Sequence, residues 1–226
     1  MRRTVFWVFI IVCIVGCGNT STGNQAETEA SDPKETTVGL ITDNNVVVDG
    51  IRYHIDEGEA EVTGDTSFIS RIVSIPESFE YEGKTYMVTS IYGSAFGQHF
   101  DLSSVSISDN IKSIGAFAFA NCVSLNSIII PENVVTIGQN AFDGCRRLYE
   151  VYSLIKEPFE LEPNIFDKGI KDEATLYVPN GTYEKYISAG WDAYFDNILE
   201  MEPSESPRRP MEVTLLGIVI DIKPQH

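Results

Sequence analysis

Residues 111–154 read IKSIGAFAFANCVSLNSIIIPENVVTIGQNAFDGCRRLYEVYSL, and this stretch says the same thing twice. Ile114, Ala118-Phe119, Cys122, Leu125 and Ile128 recur 23 residues later as Ile137, Ala141-Phe142, Cys145, Leu148 and Val151. A third copy stands one step earlier, with Ile91, Ala95-Phe96, Leu102 and Val105 in the same slots. A fixed period with apolar residues held in register is the mark of a solenoid. Each unit is one coil, whose apolar side can be buried only against the coils before and after it.

The unit Ile-Gly-x-x-Ala-Phe-x-x-Cys-x-x-Leu-x-x-Ile-x-Ile-Pro resembles the bacterial leucine-rich repeat of the BspA-like type. The resemblance is strong over about 69 residues, 86–154, and loose over roughly 160. It implies a β-rich leucine-rich repeat solenoid of 23-residue coils, with an N-terminal β-hairpin cap and a short C-terminal helical cap. It also implies adhesion or ligand capture at a bacterial surface, an inference from fold that is analogy until a site supports it. The first coil departs from the pattern: Tyr92 stands for Gly, His99 for Cys and Ser108 for Pro. The third loses its last apolar strand residue at Ser153.

Repeat logic sorts residues into core and surface. Ile91, Phe96, Leu102, Ile114, Phe119, Leu125, Ile128, Ile137, Phe142 and Leu148 are expected inside. The Phe of each Ala-Phe pair plugs the core, and Ala allows close approach. Gly115 and Gly138 are expected to adopt a backbone conformation that side chains disfavour. Outward positions on the main strand are Ser104 and Ser106, then Ser127 and Ile129, then Glu150 and Tyr152, with Tyr149 just before. That series grows less bland along the array. Exposed Ile and Tyr mark Ile129, Tyr149, Glu150 and Tyr152 as a candidate ligand-binding face. The same residues are equally explained as cross-strand contacts that steady the sheet.

Residues 1–16 have the layout of an export signal: Arg2 and Arg3, an apolar run from Val5 to Val15, then Ile14-Val15-Gly16-Cys17. The run is too short for an ordinary transmembrane helix. Its end resembles a bacterial lipobox, which implies acylation of Cys17 and a lipid anchor in the cell envelope, outer membrane or surface. An ordinary secretory signal with an incidental Cys is the other reading. Losing Arg2 and Arg3 leaves 14 of the 16 basic residues against 33 acidic ones, and takes the formal charge from -17 to -19. So acidic a body argues against nucleic acid as a partner. Membrane contact is expected through the lipid alone, and the partner is expected to be a protein or glycan bound by a monomer; the alternative is a structural or assembly scaffold component of an envelope complex.

Residues 17–38 are rich in Ser, Thr, Asn, Glu and Gly and read as a tether. Residues 39–85 alternate as strands, with a hairpin expected near Ile51–Ile55 and Ala60–Thr63. The acids Asp56, Glu57, Glu59, Glu61 and Asp65 lack EF-hand spacing and read as a solvated hairpin edge rather than a calcium site. Residues 155–202 hold a degenerate repeat, with Phe166 as a plug and Leu176-Tyr177-Val178-Pro179 as the last strand signature. A capping helix is expected to follow, with Tyr183 and Ile187 paired and Trp191, Phe195 and Ile198 at helical spacing. Its aromatics close the core or, alternatively, offer a sugar-stacking platform. Residues 203–226 are a Pro-bounded linker and the apolar run MEVTLLGIVIDI, which is either a strand on the solenoid edge or a remnant of a further module.

Cys122 and Cys145 share a slot in adjacent coils. Neighbouring strands lie about 4.8 Å apart, close enough for a disulfide, whereas free Cys is among the most buried residue types. No H-E-x-x-H, nucleophile elbow, P-loop or Cys-x-x-Cys is present. The expectation is therefore no enzyme, no cofactor and no metal.

Overall fold

The computed structural model describes residues 38–40, 44–66 and 71–202. Cys17 with its signal, most of the tether and the run after residue 202 lie outside the described residues.

The chain enters through an antiparallel meander, β1 (Val38–Leu40), β2 (Asn45–Val48), β3 (Ile51–Asp56) and β4 (Glu59–Asp65). Its two tight turns are Asp49-Gly50, with φ of 49° and 80°, and Glu57-Gly58, with φ of 42° and 91°. Two successive left-handed residues match the twist of a two-residue hairpin. Along β3, Ile51, Tyr53 and Ile55 are buried and the residues between them are not, as period-two alternation requires. Asp65 corrects the expectation of a solvated edge. It is 4% exposed, because β4 ends under the first coil.

β5 (Ile72–Ser74) opens the repeat, and the hairpin of β6 (Ser78–Tyr81) and β7 (Lys84–Ile91) follows. From there each coil contributes to two parallel ladders. One runs β4, β7, β9 (Ser113–Ile114), β11 (Thr136–Ile137). The other begins with β5 paired to β8 (Ser104–Ser106). It continues through β10 (Ser127–Ile130), β12 (Glu150–Ser153), β13 (Thr175–Val178) and β14 (Asn197–Glu200), with β8 lying beside β10. The inward column of this second ladder is Val73, Val105, Ile128, Val151, Leu176 and Ile198. From Val73 to Val105 is 32 residues, since the β6–β7 hairpin is inserted there. From Ile128 to Val151 is 23, and from Leu176 to Ile198 is 22. The ladder register thus runs on through the degenerate region.

Between the ladders, Phe96, Phe119, Phe142 and Phe166 stack as a spine, with ring centroids 5.4, 5.4 and 5.3 Å apart and planes within 10°. All ten core residues named from the repeat are at most 3% exposed.

The glycines act differently from expectation. Gly115 and Gly138 do not have positive φ. The left-handed residues are Ser94, Phe117 and Asn140, and again Gln98, Asn121 and Gly144, two per coil where the chain turns. What Gly138 supplies is room. A Cβ there would lie 2.4 Å from the Ala116 nitrogen, and one at Gly115 would lie 2.5 Å from the Gly93 nitrogen. The coils touch backbone to backbone at this slot.

The C-terminal segment also differs. Helix α1 covers only Tyr183–Ser188, a 3-10 turn covers Trp191–Ala193, and Ile198 lies in a strand. Gly190, at φ 79°, stops the helix. Tyr183 is 40% exposed, and the buried aromatic of α1 is Tyr186. Trp191 and Phe195 are buried, and Phe195 meets Phe166 edge-on at 4.9 Å, ending the spine.

Candidate binding face

The second ladder presents one face to the core and one outward, because side chains alternate along each strand. The register aligns two outward rows. Ser127, Glu150, Thr175 and Asn197 form a polar row. Ile129, Tyr152, Tyr177 and Leu199 form an apolar one. Carried toward the N-terminus, the second row continues as Ser106 and Ser74. One face therefore passes from serine to aromatic along the array.

Within the apolar row Tyr152 and Tyr177 are half-buried and stacked, with centroids 4.6 Å apart and planes at 11°. Leu199 is 53% exposed. Ile129 is only 8% exposed, which corrects the expectation that it projects freely. It has Tyr152 of β12 directly across on one side and β8 beside its strand on the other, so its role here is support for that ring. Ser106 is likewise nearly covered, at 9%. Tyr149 is 46% exposed and Glu150 is exposed beside it. The sequence reading missed Tyr177 and Leu199. The signal for Tyr177 was present in Leu176-Tyr177-Val178-Pro179, where strand alternation turns the Tyr outward. Leu199 was hidden by reading its strand as helix.

The departures from the repeat are absorbed by specific partners. Ser153, fully buried in an apolar slot, has its hydroxyl 2.6 Å from the Tyr186 hydroxyl and donates to it, while Tyr186 donates its own proton to the Ile155 carbonyl at 2.8 Å. Burial raises the Tyr186 pKa, so the hydroxyl keeps its proton. Glu200 accepts from the Tyr183 amide at 2.9 Å, tying β14 to the start of α1. The Tyr183 and Gly181 amides hold its carboxyl below the usual carboxylate range.

Cys122 and Cys145 are free and buried. Each thiol donates to a carbonyl of the coil before it, Cys122 to Phe96 at 3.2 Å and Cys145 to Phe119 at 3.1 Å. The neighbouring Cys122 thiol and burial push the Cys145 thiol well up, so it is a packing group and not a nucleophile. In the first coil, His99 occupies this slot and its Nε2 meets Asp65 Oδ2 at 3.1 Å, both groups buried. Ser108, buried where the repeat has Pro, has a hydroxyl with no hydrogen-bond partner among the described residues. Beside β5 a cleft of about 550 Å³ opens between the meander and the first strand, lined by Tyr53, Val73, Pro76 and Phe79 among others. Among the described residues no three His, Cys, Asp or Glu side chains are grouped as metal ligands.

Stacked coils, two parallel ladders and a Phe spine define a leucine-rich repeat solenoid. Residues 85–172 match the family described as BspA type leucine rich repeat region, in six copies. Among solved structures, the chain is similar to a leucine rich cell surface protein from Faecalibacterium prausnitzii A2-165. That match has 20% identity and a TM-score of 0.52, over 71% of this chain and 44% of that one, and shows a shared fold. A leucine-rich repeat protein from Bacteroides capillosus ATCC 29799 is 25% identical over 71% of this chain and 100% of its own, with a TM-score of 0.49. The leucine-rich repeat protein of T. pallidum is 20% identical over 66% and 79%, with a TM-score of 0.45. No curated protein matches the chain.

Proposed function

We propose that this chain is an exported, non-enzymatic binding protein, anchored in the cell envelope by lipid on Cys17. On this reading it captures a macromolecular partner, protein or glycan, through the C-terminal part of its outward ladder face. The meander and the α1 segment serve as end caps that keep a short solenoid closed. The observation that carries the reading is the row Ile129, Tyr152, Tyr177, Leu199, aligned by strand register on a face that is serine at its other end. Solubility alone selects against such a row. Tyr is enriched at hot spots, since its ring buries much area at little entropic cost.

The test is capture of envelope components by the wild-type chain, Tyr152→Ala and Ser106→Ala. Tyr152→Ala is expected to weaken binding of the captured partner by about 1–2 kcal/mol, with a separate loss of about 0.5–1.5 kcal/mol in folding stability from the broken stack on Tyr177, and Ser106→Ala to do little. Equal binding by wild type and Tyr152→Ala removes this face. The anchor is tested separately: Cys17→Ser moves the protein from the membrane to the soluble fraction, and a Ser variant that still sediments with membranes contradicts it.

A further inference from the structure

The two ends of the solenoid are closed unequally. Trp191 and Phe195 end the Phe spine, but nothing among the described residues pairs the far edge of β14. The consequence shows in burial. Ile128, Val151 and Leu176 of the inward column are at most 1% exposed, whereas Ile198 is only half-buried and Leu199 is 53% exposed. Met201 donates to the Val178 carbonyl at 2.8 Å. By strand alternation, the amides of Leu199 and Met201 face β13, and those of Ile198 and Glu200 face the open edge. An uncovered parallel edge with exposed Ile and Leu is a template for one more strand.

The chain outside the described residues carries a match for that edge. Ile220 and Ile222 repeat the Ile-x-Ile spacing of Ile128 and Ile130. From Ile198 to Ile220 is 22 residues, the same step that separates Leu176 from Ile198. Between them, residues 203–210 offer no large apolar side chain. None is needed there, because Phe195 and Trp191 already fill the end of the core. We propose that the β14 edge is occupied by residues 216–222 of the same chain, as a further parallel strand with Ile220 in the inward column. A crossover through residues 203–215 would connect it, right-handed as connections between parallel strands of one sheet are.

Backbone amide hydrogen exchange on the full chain and on a chain ending at Glu202 tests this. In the full chain the Ile198 and Glu200 amides are expected to be protected, and truncation should speed their exchange at least about tenfold. The Leu199 and Met201 amides are the internal control. They stay protected in both chains because β13 holds them, so a merely unfolded truncation is recognised at once. In that case Ile220→Asp in the full chain provides the same comparison, with the same speeding expected at Ile198 and Glu200. Equal exchange of Ile198 and Glu200 with and without the segment overturns the proposal. So does protection that disappears on dilution, which would assign the edge to a second copy.

Discussion

The first and third coils fill the same slots with different residues, and the difference follows what lies on their N-terminal side. Gly138 is squeezed against the coil before it, yet Tyr92 in the equivalent slot is 57% exposed, because no coil precedes it there. Cys145 finds a carbonyl of the preceding coil. His99 faces the meander instead and finds Asp65. On the outward face Ser106 gives way to Tyr152. Inner slots are thus set by the neighbour against which they pack. The outward slots answer instead to the residue across the ladder, as Ile129 does to Tyr152.

The comparison is broken most forcefully at the spine. Phe119 stacks between Phe96 and Phe142 at 5.4 Å on each side. Phe119→Ala is expected to cost about 3–5 kcal/mol and to melt the array as a unit. A shift of only a degree or so in thermal melting would contradict this register.

The junction between meander and first coil comes next. His99→Leu leaves a buried Asp65 without its imidazole, at an expected cost of about 1–3 kcal/mol in denaturant unfolding. Replacing both partners by apolar residues is expected to recover part of that loss, since the buried polar pair is then removed together. The smallest effect has the opposite sign. Two residues past the paired Ser74 and Ser106 stand Pro76 and Ser108, and the Ser108 hydroxyl is buried without a partner among the described residues. Ser108→Ala is expected to stabilise the fold by about 1 kcal/mol.

The inward columns were legible in the sequence because period and apolarity alone dictate them. Three features were not, each for a physical reason. Trp191, Phe195 and Ile198 fit helical spacing, but the left-handed Gly190 and the waiting edge of β13 turn the last of them into a strand. Ile129 reads as outward, yet its exposure is decided by Tyr152 across the ladder. The His99–Asp65 contact joins residues 34 apart in sequence, with no local signal. Half of the apolar row was missed too: Tyr177 was readable as outward from strand alternation, but its alignment with Tyr152 and Leu199 follows only from the register.

The central claim is that packing against the preceding coil fixes the inner slots, and it is tested most directly by melting Gly138→Ala beside Tyr92→Ala. The account predicts a loss of about 1–3 kcal/mol for Gly138→Ala, because the added methyl meets backbone that cannot yield. It predicts a change within about 0.5 kcal/mol for Tyr92→Ala, a surface substitution. Were Gly138 free of any neighbour, Ala would instead stabilise the fold by about 0.4–1 kcal/mol through the unfolded chain. A gain in stability at Gly138 would contradict the account.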